Sequence, residues 1–413
     1  YMGALQQASY VPEQDYKNDI MYTTRLRLNM HAKVSSNVSF AGRLSMYKTW
    51  GDSTGVQMFN GQTNSFTLDG TDSNVPNSDI LRVERAYFDW KNIGGSNWYL
   101  SLGRRPSTGG PPLQSRENEL RQGTPAGHVV NFQFDGLAAG LKLDKLAPGN
   151  VFRFCYGVGF ESGWGNGDQL QAPADRLDDV NLGGINWDLY NTDTMQIQTT
   201  VLGAWDVTDG FNGLIVLPGD PVSGNPIPAP LVMRYSPSAN LGDMYLGNIV
   251  LERDEGPVSW FVSYAYNNSK PNDITTPFGG LLTDPFDTPE DHNGYSIYAG
   301  VRAPIGNNFL GFEYNHGSQY WFNFTQAADD LVGSKLATRG DAFEGYWVHE
   351  FKDGFARANF KIRLGAIYYD YDYSGSGWQV GAPKDLNGDT PPILAFPTFK
   401  EAWDVRGTFT VKF

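Results

Sequence analysis

Apolar and polar residues alternate along most of this chain. In the closing segment KEAWDVRGTFTVKF, Trp403, Val405, Gly407, Phe409, Val411 and Phe413 share one face, and Ala402, Asp404, Arg406, Thr408, Thr410 and Lys412 share the other. Side chains of a strand point to opposite faces with period two, so this spacing predicts a strand with one apolar and one polar side. The segment IMYTTRLRLNMHAKV repeats the pattern. Ile20, Tyr22, Thr24, Leu26, Leu28 and Met30 stand against Arg25, Arg27, Asn29, His31 and Lys33. After a short SSN turn, NVSFAGRLSMYKTW runs back with Val38, Phe40, Leu44 and Met46 against Arg43, Ser45 and Tyr47.

A long polar stretch, residues 51–78, follows, and the unit of strand, tight turn, strand and long loop then recurs. Strands are expected near 79–92, 97–105, 128–143, 151–160, 180–190, 195–207, 242–253, 257–268, 293–305, 307–321, 341–351, 355–373 and 398–413. Residues 1–8 are expected to be the remainder of a truncated first strand, giving about 16 strands, an even number as in bacterial single-chain barrels. Two segments resist simple alternation. Residues 128–143 are read as one long strand bent at Asp135–Gly136. In DILRVERAYFDW, Arg82 and Glu84 fall on the face of Phe88 and Trp90, which predicts a bulge and leaves the register open.

A soluble sandwich and a transmembrane barrel both accept strands with one apolar face. Connection length favours the barrel. Short links alternate strictly with long ones, as periplasmic turns alternate with extracellular loops. Aromatic residues gather at strand ends, among them Tyr22, Trp50, Trp90, Trp98, Trp205, Trp260, Tyr368 and Trp403, which suits interfacial girdles. The expected fold is therefore all-β: one transmembrane antiparallel β-barrel over residues 1–413. A closed sheet of this size leaves a water-filled interior.

Composition adjusts this reading only slightly. Mean hydropathy is −0.40, which alone would suggest a soluble protein, and no run approaches the ~18 apolar residues of a membrane helix. Alternation hides a lipid face from such averages. Aromatic residues make up 14% of the chain and glycine numbers 48, in keeping with a barrel. The net charge of −14 argues against nucleic-acid partners. A single cysteine, Cys155, excludes an internal disulfide framework. The chain opens on Tyr1 without a leader, so we expect it to be processed or trimmed.

The segment RAYFDWKNIGGSNWYLSLGRRPSTGG resembles the strand–turn–strand that precedes the inward-folded third loop of Gram-negative general porins. GRRPSTGGPP (103–112), FCYGVGFESG (154–163) and DVNLGGINWDLYNTDT are similar to a porin-like family of metal-reducing anaerobic bacteria. That resemblance spans most of the chain. It implies an outer-membrane location among lipid and lipopolysaccharide, a first strand upstream of Tyr1, and a terminal Phe413 similar to the signal read by the barrel-assembly machinery. By analogy with general porins it also implies a homotrimer.

Projection onto the interior groups the charges. Arg25, Arg27, Lys33 and Arg43 near the start, and Arg357, Lys361, Arg363, Lys400, Arg406 and Lys412 near the end, meet on closure as one basic wall, with Asp404 its only assigned acid. The middle strands offer Asn186, Asp188, Gln196, Gln198, Asp206, Ser259, Ser263, Glu313, Glu344 and Glu350 instead. Residues 106–127 are the candidate constriction loop, where Arg116, Glu117, Glu119 and Arg121 would narrow the lumen beside Arg104 and Arg105. Most of the negative charge is expected in outer loops such as TDPFDTPEDH and QAADD, and in the middle strands.

These features point to a non-enzymatic channel passing small hydrophilic solutes and favouring anions. A second reading is a barrel scaffold for an outer-membrane cytochrome or surface filament in extracellular electron transfer. No catalytic, metal or cofactor site is expected. His31, His128, His292, His316 and His349 form no HxH or HxxxH pair, DLNGDT and DGTDSN lack the spacing of a defined calcium loop, and no nucleophile elbow occurs.

Overall fold

The computed structural model describes residues 20–51, 57–58, 76, 78–162, 177–210, 213–217, 231–235, 237–274, 276, 279–325, 330–351, 358–388 and 399–413. Strands β1 (Thr23–Lys33), β2 (Val38–Thr49), β3 (Gln57–Met58), β4 (Ser78–Trp90), β5 (Trp98–Arg104), β6 (Asp135–Lys142), β7 (Val151–Phe160), β8 (Val180–Asn191) and β9 (Met195–Thr208) form the first half. Then come β10 (Gly213–Leu217), β11 (Leu231–Tyr235), β12 (Asn240–Asp254), β13 (Ser259–Pro271), β14 (His292–Ile305), β15 (Asn308–Gly317), β16 (Gly340–Phe351), β17 (Asn359–Tyr371) and β18 (Glu401–Lys412). Fifteen of them make one antiparallel sheet in the order β1-β2-β4-β5-β6-β7-β8-β9-β12-β13-β14-β15-β16-β17-β18. The other three, β11-β10-β3, form a small sheet between two long connections.

Each strand pairs with its neighbour in sequence, as a meander of hairpins requires. The sheet is inside-out relative to a soluble protein. Leu26, Leu28, Phe88, Leu102, Ile185, Ile249, Tyr264, Ile297, Leu364 and Phe409 stand exposed on one face, while Ser45, Glu84, Asn186, Asp188, Asn248, Glu313 and Glu344 are buried on the other. The closing strand follows the rule, with Trp403 66% and Val405 77% exposed while Asp404 is 9%.

The sheet curls into a barrel around its polar face. Residues of one connection, 105–134, show this directly. Glu119 pairs with Lys412 on β18, and Gln122, three residues on, accepts from Arg43 on β2. Both ends of the strand order therefore reach one short stretch of chain. The fold is thus an antiparallel β-barrel with its apolar face turned outward, the polarity that lets strands cross a bilayer. β1 and β18 run in the same direction, so antiparallel closure needs one more strand between them. The strand expected at residues 1–8 lies outside the described residues.

Two readings of the sequence change. The long bent strand at 128–143 is not present. β6 starts at Asp135, and His128 to Gln133 are buried inside the barrel with the preceding loop. Their apolar alternation belongs to an inner segment that packs against β12 and residues 321–324. One of two irregularities in the pairing of β4 with β2 falls at Glu84. Arg43 lies opposite Arg85 and Leu44 opposite Val83, so Glu84 is the extra residue. The register shift lets both Glu84 and Arg85 serve the interior, which strict alternation forbids.

Arginine on the lipid face near the bilayer midplane destabilises by ~2–4 kcal/mol, and by ~0–1 near the interface. Ile297→Arg, on the exposed face of mid-β14, should therefore weaken folding into vesicles by about 2–4 kcal/mol, against at most about 1 kcal/mol for Ile305→Arg at the strand end. Urea titration followed by heat-modifiable gel mobility measures both. Equal effects would contradict the assigned faces.

Candidate functional site

The interior is organised by the connection between β5 and β6. Its two limbs bond to each other: Gln122 N donates to Gly109 O at 3.1 Å, Thr124 N to Pro106 O at 2.9 Å, and Gly127 N to Pro111 O at 2.7 Å. The approach is close enough that a Cβ on Gly123 would sit 2.5 Å from Thr108 O. Glycine there is a packing requirement. One helical turn, Leu113–Arg116 (α1), forms the far tip. At the root, Arg85 of the bulged β4 donates to Gln122 O and to Thr108 O, each at 3.1 Å, joining both limbs to the wall.

From this scaffold the loop reaches most of the circumference. Gln114 Nε2 donates to Glu252 on β12 at 2.7 Å, and Arg302 on β14 donates to Ser115 O at 2.8 Å. Asn118 Nδ2 donates to Glu350 on β16 at 2.7 Å. Arg121 Nη1 pairs with Asp188 on β8 at 2.9 Å, and Asp188 also holds Arg153 at 2.8 Å. Arg116 is buried between Asp330 at 2.7 Å and Glu344 at 2.8 Å. Glu344 also binds Lys335 and Arg363, and Lys335 binds Glu313. Asp330 takes Arg406 at 3.6 Å, and Arg406 takes Asp404 at 2.5 Å. These buried charges are all paired, the condition for keeping them out of water.

Other long connections fold in behind the first. Phe324 N donates to Val129 O at 3.0 Å and Asn131 N to Phe324 O at 2.7 Å, zipping residues 321–325 onto the loop. Val129, Val130, Phe132, Trp321, Phe322 and Phe324 pack with Leu241, Met244, Leu246 and Val250 of β12 in one apolar core. His128 lies 2.9 Å from Ser263 Oγ and 2.9 Å from Ser296 Oγ. Burial pushes its pKa down to about 3, so it is a neutral linker between loop and wall. The expected water-filled interior is therefore replaced, opposite β8 to β14, by packed chain.

Solvent reaches the inner face where this packing ends, beside β1, β2 and β18. There Arg27 Nε donates to Glu84 at 2.9 Å, and Arg43 Nη1 to the other oxygen of Glu84 at 3.0 Å. Two guanidinium groups share one carboxylate. Arg25 stacks over Tyr47 at 3.9 Å. Across the gap, Lys361 pairs with Glu119 at 2.9 Å and Glu117 at 3.5 Å, Arg363 with Glu117 at 3.4 Å, and Lys412 with Glu119. The side chains of Arg27 and Lys412 remain 29% and 49% exposed. Burial alone would raise the Glu119 pKa, but hydrogen bonds from Lys412 and Lys361 outweigh it and hold the carboxyl below its usual value of 4.5.

The residues singled out in the sequence thus separate into groups. Arg25, Arg27, Arg43, Glu117, Glu119 and Lys361 stand around the partly wet strip, and Arg406 joins the buried cluster through Asp330. Arg116, Arg121 and Arg363 sit in the packed region. Arg105 is buried at the loop root. Arg357 lies outside the described residues. Arg104 is not a lumen residue: it pairs across the sheet with Ala86 and Asp135, on the face of Phe88 and Leu102. The wall is also less purely basic than projected, because Glu84 joins Asp404 on it. Asp330, in the QAADD loop assigned to the outside, is buried within. The sequence reading missed Asp330 and Lys335 as interior residues, since nothing in a polar loop's composition marks an inward fold. Glu84 had a signal, the broken alternation around it.

Barrel and inner loop together define a porin-like antiparallel β-barrel with an occupied lumen. The chain belongs to the family described as protein of unknown function (DUF3373), whose model matches residues 15–413. No curated protein matches it. Among solved structures it is similar to OmpF of Salmonella typhi in complex with daunomycin, at 10% identity and TM-score 0.46, covering 97% of this chain and 93% of that one. It is similar to an anion-selective porin from Comamonas acidovorans, at 11% identity and TM-score 0.45, covering 94% and 90%. It is also similar to OmpT, an outer membrane protein of Vibrio cholerae, at 11% identity and TM-score 0.43, covering 94% and 89%.

Removing one partner of a buried ionic cluster destabilises by about 3–5 kcal/mol. Glu344→Gln leaves Arg116, Lys335 and Arg363 short of a shared acid. It should lower barrel stability by about that amount and expose the Arg116 and Arg121 bonds to trypsin. Denaturant titration and limited proteolysis in detergent measure both. A loop as resistant as wild type would show that the cluster does not anchor it.

Proposed function

We propose that this protein is a non-enzymatic outer-membrane channel for small hydrophilic solutes, narrowed from within by residues 105–134 and favouring anions. The inverted polarity of the sheet carries this reading: an apolar outer belt has a use only against hydrocarbon, and a charged inner face only where water or paired charge meets it. The water path is the strip beside β1, β2 and β18, not the whole barrel section. Arg25, Arg27, Lys361 and Lys412 give it a positive bias that Glu84, Glu117 and Glu119 reduce without cancelling. Charges lining a constriction set selectivity through their local field, so a chain of net charge −14 is compatible with an anion-favouring pore. A scaffold for an enclosed cytochrome fits less well, because chain from this protein already fills the region opposite β8 to β14.

Reversal potential in a salt gradance across a planar bilayer tests the reading. Wild type should conduct and prefer anions. Arg25→Glu with Arg27→Glu should shift the reversal potential toward cations. An unchanged value would remove these residues from the path, and a barrel that never conducts would defeat the channel itself.

Acidity supplies a second test. A carboxylate with a lowered folded pKa contributes its ion pairs fully above the unfolded pKa, and these are lost as pH falls through the folded one. Glu119 should therefore hold Lys361 and Lys412 at pH values above 4.5. Below that, its protonation should increase the anion preference and loosen the loop. Glu119→Gln should show the higher preference at neutral pH already, with a flatter acid response. An acid step identical to wild type would assign it to another group.

A further inference from the structure

The buried cations inside the barrel are met by carboxylates or by several carbonyl oxygens. Arg116 has Asp330 and Glu344, Arg121 and Arg153 share Asp188, and Arg339 donates to the carbonyls of Trp321, Ser374 and Trp378. Arg105 differs. It is 8% exposed, and among the described residues its side chain touches only neutral groups. Its Nε donates to Ser101 Oγ at 3.1 Å, and its Nη1 lies 3.9 Å from Cys155 Sγ. A guanidinium has five N–H donors and a fixed charge, so burial on a hydroxyl and a thiol leaves most of that capacity unused.

A cavity of about 60 Å³ opens beside this group, lined by Arg105, Ser107, Phe132, Phe134, Cys155 and Leu202 among others. Gly184, which pairs with both Cys155 and Leu202, forms part of its wall. Its volume is roughly that of two waters in the liquid, but most of its walls offer water no partner. One cationic fork at the edge of a small apolar hole is the pattern of a site for an anion with an alkyl tail.

We infer that this cavity is a binding subsite for a small monocarboxylate of two or three carbon atoms. The carboxylate lies on the Arg105 guanidinium, whose planar fork matches two carboxylate oxygens. The methyl or ethyl group lies against Phe132, Phe134 and Leu202. Phosphate and sulfate fit poorly, since their remaining oxygens would face these apolar walls. The subsite is set in the packed half of the barrel, away from the wet strip, and the inference does not depend on conduction.

Cys155 provides the test, being the only cysteine in the chain and part of the cavity wall. The full-length barrel in detergent is labelled with methyl methanethiosulfonate, with and without propionate, and with the neutral isostere propionamide. For a millimolar Kd, about 10 mM propionate should slow labelling about tenfold, because protection scales as one plus ligand over Kd. Propionamide should leave the rate unchanged. Calorimetric titration with propionate should give saturable heat, which decides the matter if Cys155 resists the reagent. Arg105→Gln should abolish both effects, and so should Leu202→Phe, which fills the hole and keeps the cation; heat-modifiable mobility checks that each variant folds. The inference is overturned if wild type shows neither protection nor saturable heat, if propionamide protects equally, or if Arg105→Gln still binds. Conductance of the same preparation separates the two proposals: an open channel without propionate binding refutes the subsite alone.

Discussion

Hydrocarbon offers no partner to a backbone amide or a charged side chain, and the rest of this structure follows from that constraint. Every strand must be bonded on both sides, so the sheet has to close. Each strand must send its apolar side chains outward, so the charged ones collect inside. Once gathered there, they need either water or one another. The protein uses both solutions in one cross-section. Opposite β8 to β14 the charges are paired and packed under loops, and beside β1, β2 and β18 they remain partly wet.

The dry half is a core assembled from long connections, not from the wall alone. The hairpin-like loop at 105–134 supplies one surface and residues 321–324 another, and β12 contributes leucine, methionine and valine where a strand facing open water would carry polar groups. Glu344 shows how tightly charge is used. It serves three cations from two loops and a neighbouring strand, so none of the three has Glu344 to itself. Such sharing joins loop position to wall position, because displacing one cation changes the surroundings of the others.

The barrel itself was legible from the alternation, since the face of a strand is a purely local property. Trp403, Val405 and Phe409 declare their side of β18 without reference to anything else. The role of Arg104 was not legible, because β5 ends there and the next residue, Arg105, turns the opposite way. Two adjacent arginines cannot both face the lumen from one regular strand, and the structure sends only Arg105 inward. Residues 128–134 misled for a related reason. Their alternation is real, but it fits an extended segment packed inside the barrel as well as a strand in its wall. Asp330 and Lys335 lay beyond reach altogether, since which polar loop turns inward depends on contacts made far away in sequence. At Glu84 the sequence showed where the pattern broke, but only the paired register shows that the extra residue brings an acid to Arg27 and Arg43.

The loop between β5 and β6 is continuous at both ends with neighbouring wall strands, and Arg85 clamps its two limbs together at the root. It is thus a tongue and not a stopper. It has no route by which to leave as a unit, and its tip is held as firmly as its base, by Glu252, Arg302 and Glu344 of the opposite wall. The element is therefore braced like a strut across the barrel, and moving the turn formed by Leu113 to Arg116 would first require breaking the ion pairs of Arg116.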